Sequence, residues 1–323
     1  ISKGYEVIVT GPNEEDIDKI KELGVRFVRI PLDKNGLSAA ADIKYMIALK
    51  NLLKAEKPDI TLGYTIKPVI YGAIAAKLAG VKNINSMVTG VGYVFTAETI
   101  KAKVIRTIAS ILYRIGFKCA NTVIFQNRDD LNEFVERKLL KREKCRLVNG
   151  SGVNMLKFEL APLPERITFF MLSRVMYSKG IREYLQAAKE VKCKYPEVRF
   201  MLLGAVENIQ DSLKMEDLSP YIDNSIIDYY NETDDVASYY RQCSVYVLPS
   251  YREGTPRTVL EAMAMARPII TTDAPGCRET VIDGVNGFLV PVKDSFALAE
   301  KMKWFIRNQD EIMKMGQASY QLC

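Results

Sequence analysis

Two glutamates, Glu253 and Glu261, stand at the junction of a short apolar run and a helical pattern. The segment reads Ser244-Val-Tyr-Val-Leu-Pro-Ser-Tyr-Arg-Glu253-Gly-Thr-Pro256-Arg-Thr-Val-Leu-Glu261-Ala-Met-Ala-Met-Ala-Arg-Pro268. Val245–Leu248 has the form of a buried strand bounded by turn residues. Pro256 suits the first turn of a helix, where its missing N–H costs nothing. Val259, Leu260, Ala262, Met263 and Ala266 then recur at helical spacing, and Pro268 ends the pattern. Glu253 is therefore expected on a loop at a strand's carboxyl end, with Glu261 about two turns along the next helix. That edge of an open α/β sheet is where ligands bind. Each glutamate alone also reads as an ordinary solvated charge. The surroundings of Glu261 are nearly uncharged, however, so a carboxylate there needs a partner. A ligand rich in hydroxyl groups would supply one.

A second charged pair lies on an equivalent loop. Leu172-Ser-Arg174-Val-Met-Tyr-Ser-Lys179-Gly180-Ile follows a strand and precedes a helix. Arginine offers a planar fork and lysine a mobile point charge, and both suit a diphosphate. The helix start near Thr255–Arg257 would add free backbone N–H groups. Taken singly, Arg174 and Lys179 also fit as solvated surface cations.

The elements that must carry these loops alternate along the chain. Strands are expected at Val7–Thr10, Arg26–Ile30, Ile60–Leu62, Asn83–Met87 and Thr122–Phe125, separated by helical segments at Asp16–Leu23, Ala40–Glu56 and Lys67–Ala79. Gly24 and Gly80 sit where helix C-caps belong. After the turn-rich segment Asn149–Arg166 the alternation restarts, with strands at Thr168–Leu172, Arg199–Leu203, Ser225–Ile227, Val245–Leu248, Ile269–Thr272 and Gly287–Val290. This βαβ pattern implies α/β architecture with parallel sheets. The 323 residues suit two domains. The boundary is expected near 155–165, giving domains 1–160 and 161–323 that face each other across a cleft. The chain opens at Ile1 in what reads as the tail of a helix, so a first strand and its following helix, about twenty residues, are expected to precede it.

Composition narrows the chemistry. Hydrophobic residues make up 48% and charged residues 26%, as in globular proteins that fold in water. No run approaches the roughly eighteen apolar residues of a membrane span, and none reads as a signal peptide. The cysteines at 119, 145, 193, 243, 277 and 323 are scattered without a CxxC pair, which reads as reduced thiols in a cytoplasmic protein and not as a metal site. The chain has no histidine. Imidazole bases, Ser-His triads and His-ligated metals are thereby excluded. Residues 1–165 hold 26 lysines and arginines against 18 acidic residues, whereas residues 166–323 hold 19 against 21. The basic first half could meet nucleic acid, an anionic membrane or a phosphorylated substrate.

The motifs taken together resemble the retaining glycosyltransferases of family 4. Those residues are Ser-Arg174-x4-Lys179-Gly180, then Glu253-Gly254-x-Pro256-x3-Leu-Glu261-Ala262, Pro268, and Gly276-x2-Glu279-x2-Ile282-x-Gly284-x-Asn286-Gly287. In the first half Tyr64-x2-Lys67-Pro68 with Gly72, Ala75 and Gly80, and Gly150-Ser-Gly152-Val153-Asn154, also fit. The resemblance implies the GT-B fold, two Rossmann-like doubly wound domains, with the acceptor bound by the first and a nucleotide sugar by the second. It implies that Arg174 and Lys179 hold the donor diphosphate and that Glu261 accepts hydrogen bonds from the ribose. Glu253 would approach the transferred sugar, with Gly254, Thr255 and Pro256 reading its hydroxyls. Glu279 fits the donor side, and Tyr229 or Tyr230 the base.

Many family members carry a histidine after the strand that ends here at Ser86-Met-Val. This chain has Thr89-Gly90-Val-Gly-Tyr93 instead. That run resembles a subset acting on undecaprenyl-diphosphate-linked sugars in capsule, O-antigen or bacterial N-glycan assembly, including its N-acetylgalactosaminyltransferase type. The subset implies a UDP-sugar donor, a lipid-linked saccharide acceptor, an acceptor side at Thr89, Gly90, Tyr93 and Lys67, and no metal or other cofactor. It is compatible with a front-face displacement in which the departing phosphate oxygen takes the acceptor proton. Thr89–Tyr93 also reads as a plain loop whose glycines permit a tight turn. The basic segment 97–118, with Lys138, Lys141, Arg142, Lys144 and Arg146, reads either as a docking surface for the inner face of the cytoplasmic membrane or as a packed helix with a solvated edge. No aromatic-and-basic motif points to nucleic acid. A nucleotide-sugar 2-epimerase of the same fold and a non-catalytic nucleotide-sugar-binding subunit stand as alternatives.

Overall fold

The computed structural model describes residues 1–13, 17–33, 38–90, 100–209 and 211–323. The chain divides into two compact units. The first comprises Ile1–Phe125 with Leu131–Arg146, and the second Gln126–Asp130 with Leu147–Cys323.

The first unit holds two sheets. Strands β1 (Ile8–Gly11) and β2 (Arg26–Arg29) pair in parallel. Strands β3 (Ile60–Tyr64), β4 (Asn83–Val88), β5 (Thr122–Phe125) and β6 (Cys145–Leu147) form a second sheet in that order, with β3, β4 and β5 parallel. Alternate residues Ile84, Ser86 and Val88 of β4 point inward and are buried, the period-2 pattern of a strand with one packed face. The helix Ala39–Glu56 starts where the Ser38 hydroxyl accepts the Ala41 N–H at 3.3 Å, a conventional N-cap. The expected helix Lys67–Ala79 is two pieces, a π-helical turn Pro68–Gly72 and an α-helix Ala73–Ala79 that ends on Gly80 at φ +87°. The helix Ile100–Cys119 packs closely on that turn. A Cβ at Gly116 would lie 2.9 Å from the Ile70 Cα.

The second unit is one six-stranded parallel sheet. Its strands are β7 (Thr168–Leu172), β8 (Arg199–Leu203), β9 (Asp228–Tyr230), β10 (Val245–Leu248), β11 (Ile269–Thr272) and β12 (Gly287–Val290), in the order β12-β11-β10-β7-β8-β9. The central strands β7, β10 and β11 are almost wholly buried, as expected for strands covered on both faces. From β7 the chain progresses to β8 and β9 on one side. From β10 it progresses to β11 and β12 on the other. The direction of winding therefore reverses between β7 and β10, and the crevice outside their carboxyl ends is a topological switch point.

Two expectations about strands require correction. The strand expected at Ser225–Ile227 lies instead at Asp228–Tyr230. Ser225 sits at φ +54° and its N–H bonds the Ile222 carbonyl, while the Ile226 N–H bonds Tyr221, so the chain is still unwinding from the helix Met215–Asp223. Pairing with β8 begins only at Asp228 opposite Met201. The short strand β6 was not foreseen; Lys144 precedes it and Arg146 is its central residue.

Candidate functional site

Three loops, following the carboxyl ends of β7, β10 and β11 in the second unit, carry Arg174, Lys179, Glu253–Pro256 and Glu279; Glu261 follows on the helix after the second of them, and Tyr229 lies in β9. After β7 the chain makes a 3-10 turn, Tyr177–Lys179, and enters the helix Ile181–Lys194 through Gly180. Gly180 has φ +73°, and a Cβ there would lie 2.1 Å from the Pro249 carbonyl oxygen. Only glycine meets both demands. The turn delivers Lys179 to the loop after β10, where its Nζ lies 2.6 Å from Glu253 Oε1. Both side chains are largely withdrawn from solvent, at 20% and 14% exposure, so this pair is shielded from the screening that weakens surface ion pairs.

Neighbouring bonds hold the two loops in register. The Tyr251 N–H donates to the Ser178 carbonyl at 2.9 Å, and the Tyr177 N–H donates to the Asp211 carbonyl at 2.8 Å. The Ser178 hydroxyl donates to the Asp211 carboxylate. The Tyr251 hydroxyl donates to Glu183 Oε1 at 2.8 Å, and burial raises the Tyr251 pKa, reinforced by the Glu183 carboxylate. The second oxygen of Glu183 is buried without a hydrogen-bond partner among the described residues.

Glu261 occupies the second turn of the helix Arg257–Ala264 and is 6% exposed. Pro256 caps that helix at φ −70° and ψ 109°, one residue before the position expected for it. Arg257 Nε lies 3.1 Å from one carboxylate oxygen of Glu261, and the Tyr240 hydroxyl donates to the other at 3.2 Å. Burial raises the Glu261 pKa above the ordinary value; Arg257 and Tyr240 oppose the shift.

The other expected residues are dispersed around this centre. Glu279 accepts the Gly276 N–H at 2.9 Å, and burial raises its pKa. Gly276 backs onto the Glu253 loop, where a Cβ would lie 2.2 Å from the Glu253 carbonyl oxygen. Gly254 is buried, and the Thr255 hydroxyl donates to the Gln126 carbonyl at 2.9 Å. Arg174 points toward Glu207, 3.4 Å away, and is 55% exposed, so it does not share the Lys179–Glu253 contact. Tyr229 is the central residue of β9; its hydroxyl donates to the Gly204 carbonyl at 3.0 Å.

In the first unit Lys67 lies beyond the carboxyl end of β3 and pairs with Asp42 at 2.7 Å, both largely buried. Thr89 and Gly90 follow the carboxyl end of β4, and Gly90 has φ +126°. Tyr93 lies outside the described residues. Among the described residues no group of three or more histidine, cysteine, aspartate or glutamate side chains is placed to hold a metal ion, and no helix is long and apolar enough to cross a membrane.

Sequence reasoning missed Tyr240 and Arg257, and also Asn127, whose amide donates to the Gly254 carbonyl at 2.8 Å, and Asp130, which accepts from Arg252 at 3.2 Å. Arg257 was legible in principle, being four positions before Glu261 on one helix face. The others reach the site through tertiary contacts.

The architecture corresponds to solved structures across nearly the whole chain. It is similar to Anabaena Alr3699/HepE crystallised with UDP, with TM-score 0.77 and 16% identity over 100% of this chain and 88% of that one. It is likewise similar to sucrose-phosphate synthase from Thermosynechococcus elongatus, with TM-score 0.83 and 20% identity over 99% and 84%. The fold is GT-B, with two Rossmann-like parallel-sheet domains. Residues 154–322 match the glycosyl transferases group 1 family, and residues 1–127 match the glycosyl transferase 4-like family. The chain belongs to the group 1 glycosyltransferases. Its relatives include the N,N'-diacetylbacillosaminyl-diphospho-undecaprenol alpha-1,3-N-acetylgalactosaminyltransferase of Campylobacter jejuni, 26% identical over 97% of this chain and 84% of that protein. A UDP-Gal:alpha-D-GlcNAc-diphosphoundecaprenol alpha-1,3-galactosyltransferase of Escherichia coli is 29% identical over 88% and 78%.

Proposed function

We propose that this glycosyltransferase moves a hexose or N-acetylhexosamine from a UDP-sugar, with retention of anomeric configuration, to a saccharide carried on polyprenyl diphosphate. The observation that carries the donor reading is the Lys179–Glu253 pair at the switch point, with Glu261 on the helix leaving the same loop. Donor binding would exchange one anion for another on Lys179. The diphosphate takes the ammonium, and Glu253 is released toward the sugar. Arg174 turns from its exposed Glu207 contact to the same diphosphate. Glu261 offers two acceptor oxygens to the vicinal diol of the ribose. Glu279 and Tyr229 are assigned to the donor side, and Thr89, Gly90, Tyr93 and Lys67 to the acceptor side.

In the transfer the bond between the anomeric carbon and the phosphate oxygen breaks as the acceptor oxygen bonds to that carbon from the same face. The acceptor proton passes to the departing phosphate oxygen, so no protein base is required. Lys179 and Arg174 stabilise the charge that develops on the nucleotide, and in this reading the step needs no metal ion. The names of the relatives favour undecaprenyl-linked acceptors.

Docking at the inner face of the cytoplasmic membrane is supported by the helix Ile100–Cys119. Val104, Ile108, Ile111 and Ile115 are 55%, 53%, 50% and 44% exposed. Their spacing of four, three and four sets them on one helical face. Exposed Lys103, Lys118, Lys138, Lys141 and Arg146 lie on this helix or on the following segment of the unit. Lys144 and Arg114 are structural instead. Lys144 Nζ caps the carbonyls of Phe117 and Ala120, and Arg114 holds those of Arg137 and Lys138.

The test is a panel of UDP, UDP-N-acetylgalactosamine, UDP-galactose and UDP-glucose in thermal shift, followed by transfer to an undecaprenyl-diphosphate-linked sugar. One UDP-sugar should raise the melting temperature and yield a product with the donor's anomeric configuration. No stabilisation by any of them, or an inverted product, overturns the reading.

A further inference from the structure

Asn127 takes no part in the chemistry above, yet it is 1% exposed and directs its amide at the catalytic loop. Its Nδ2 donates to the Gly254 carbonyl at 2.8 Å, to the Glu253 carbonyl at 3.3 Å and to Asp130 Oδ2 at 3.0 Å. Its Oδ1 accepts the Asp130 N–H at 2.7 Å. Asp130, also 1% exposed, in turn accepts two bonds from the Arg252 guanidinium, at 3.2 Å and 2.5 Å. The close backbone of Gly276, with a notional Cβ 2.5 Å from the Gly254 carbonyl oxygen, leaves the loop little room to move.

A trans peptide points its C=O and N–H in opposite directions. With the carbonyls of Glu253 and Gly254 turned onto Asn127, the N–H groups of Gly254 and Thr255 face the other way. Neither N–H has an acceptor among the described residues. Gly254 is buried and Thr255 partly exposed, and both N–H groups stand on the loop whose glutamate meets Lys179.

We propose that Asn127 is a positioning residue for sugar transfer, holding the N–H groups of Gly254 and Thr255 toward the hydroxyl or acetamido oxygens of the donor sugar. This rests on the donor reading of the site given above. The nucleotide moiety, held by Lys179 and Glu261, should be indifferent to Asn127, whereas the sugar should not.

Asn127→Asp keeps the volume but sets an acceptor against two carbonyls. Calorimetry with UDP, and steady-state kinetics with whichever UDP-sugar the wild type turns over, separate the two moieties. The expected result is a UDP Kd within about threefold of wild type and a kcat/KM at least about tenfold lower, carried mainly by kcat. Asn127→Ala, which loses the donor without adding repulsion, should fall between. Wild-type kcat/KM in Asn127→Asp overturns the proposal. So does equal weakening of UDP and UDP-sugar alongside a lowered Tm, the signature of general loosening. Should Asn127→Asp not fold, Asn127→Ser is judged by the same comparison. A wild-type protein that binds neither UDP nor any UDP-sugar overturns the donor reading itself, a failure visible before any variant is made.

Discussion

The Glu261 carboxylate is buried against Tyr240 and Arg257, and burial raises its pKa above the ordinary 4.5. A raised folded-state value means that the ionised form is disfavoured by folding. The stability tied to this group is complete below the unfolded value and is lost as pH rises through the folded one. Near neutral pH the charge therefore burdens the fold, and its retention suits a group that serves a ligand. Glu261→Gln should melt higher than wild type at about pH 7.5, and the difference should close as pH falls below the unfolded value. Arg257 loses its partner in that variant, but at 69% exposure this costs little. UDP affinity should fall about tenfold or more, because one charged double acceptor becomes a single neutral one. Paired melting curves across pH, with calorimetry, check both halves. A lower melting temperature for Glu261→Gln at neutral pH would contradict the account. Lys179→Ala should instead raise the barrier to transfer by about 2–4 kcal/mol, the range for removing a charge-stabilising donor, and should also lower the melting temperature, because Glu253 is left largely buried without its cation. Single-turnover rates provide that comparison.

At the scale of elements, the strands of the second unit were legible because buried parallel strands read as short apolar runs. Val245–Leu248, Thr168–Leu172 and Ile269–Thr272 stand where the sequence places them. Loop residues at the ends of those strands followed for the same reason. Lys179 and Glu253 are brought together because β7 and β10 are neighbours at the reversal of winding. Strand order is a long-range property that no local pattern carries. Asn127 lies 126 positions from Glu253, and its role is invisible until the chain is folded. Arg174 was legible as a cation but not as one turned toward Glu207. The tightest constraint on the two loops is Gly180. Gly180→Ala combines a left-handed φ with a Cβ 2.1 Å from a backbone oxygen, so either Lys179 shifts or the loop after β10 does. The expected outcome is a loss of more than about 2 kcal/mol in stability and of most transfer activity, measured by urea unfolding and product formation. A melting midpoint and activity equal to wild type would show that the turn has slack.

For the molecule as a whole, the positive excess and one exposed apolar helix stripe fall in the same half of the chain. The half of the chain with the positive excess also carries the helix whose Val104, Ile108, Ile111 and Ile115 are each about half exposed. A stripe of that kind costs free energy in water and gains it at a bilayer interface, while adjacent lysines add attraction to anionic headgroups of about 1 kcal/mol each near the surface. The two contributions respond to different variables, which makes them separable. Replacing Val104, Ile108, Ile111 and Ile115 together by serine should abolish flotation with vesicles containing phosphatidylglycerol even at low salt. Replacing Lys103, Lys118, Lys138 and Lys141 by glutamine should leave residual flotation that no longer varies with salt, because the remaining apolar term is unscreened. Neither set touches the donor loops, so thermal stabilisation by the UDP-sugar should persist in both. Transfer to a short-chain, water-soluble acceptor should also persist, while transfer to a long-chain acceptor in vesicles falls with flotation. Equal flotation of wild type and the serine variant would show that this helix face packs against something other than lipid and would remove the membrane from the reading.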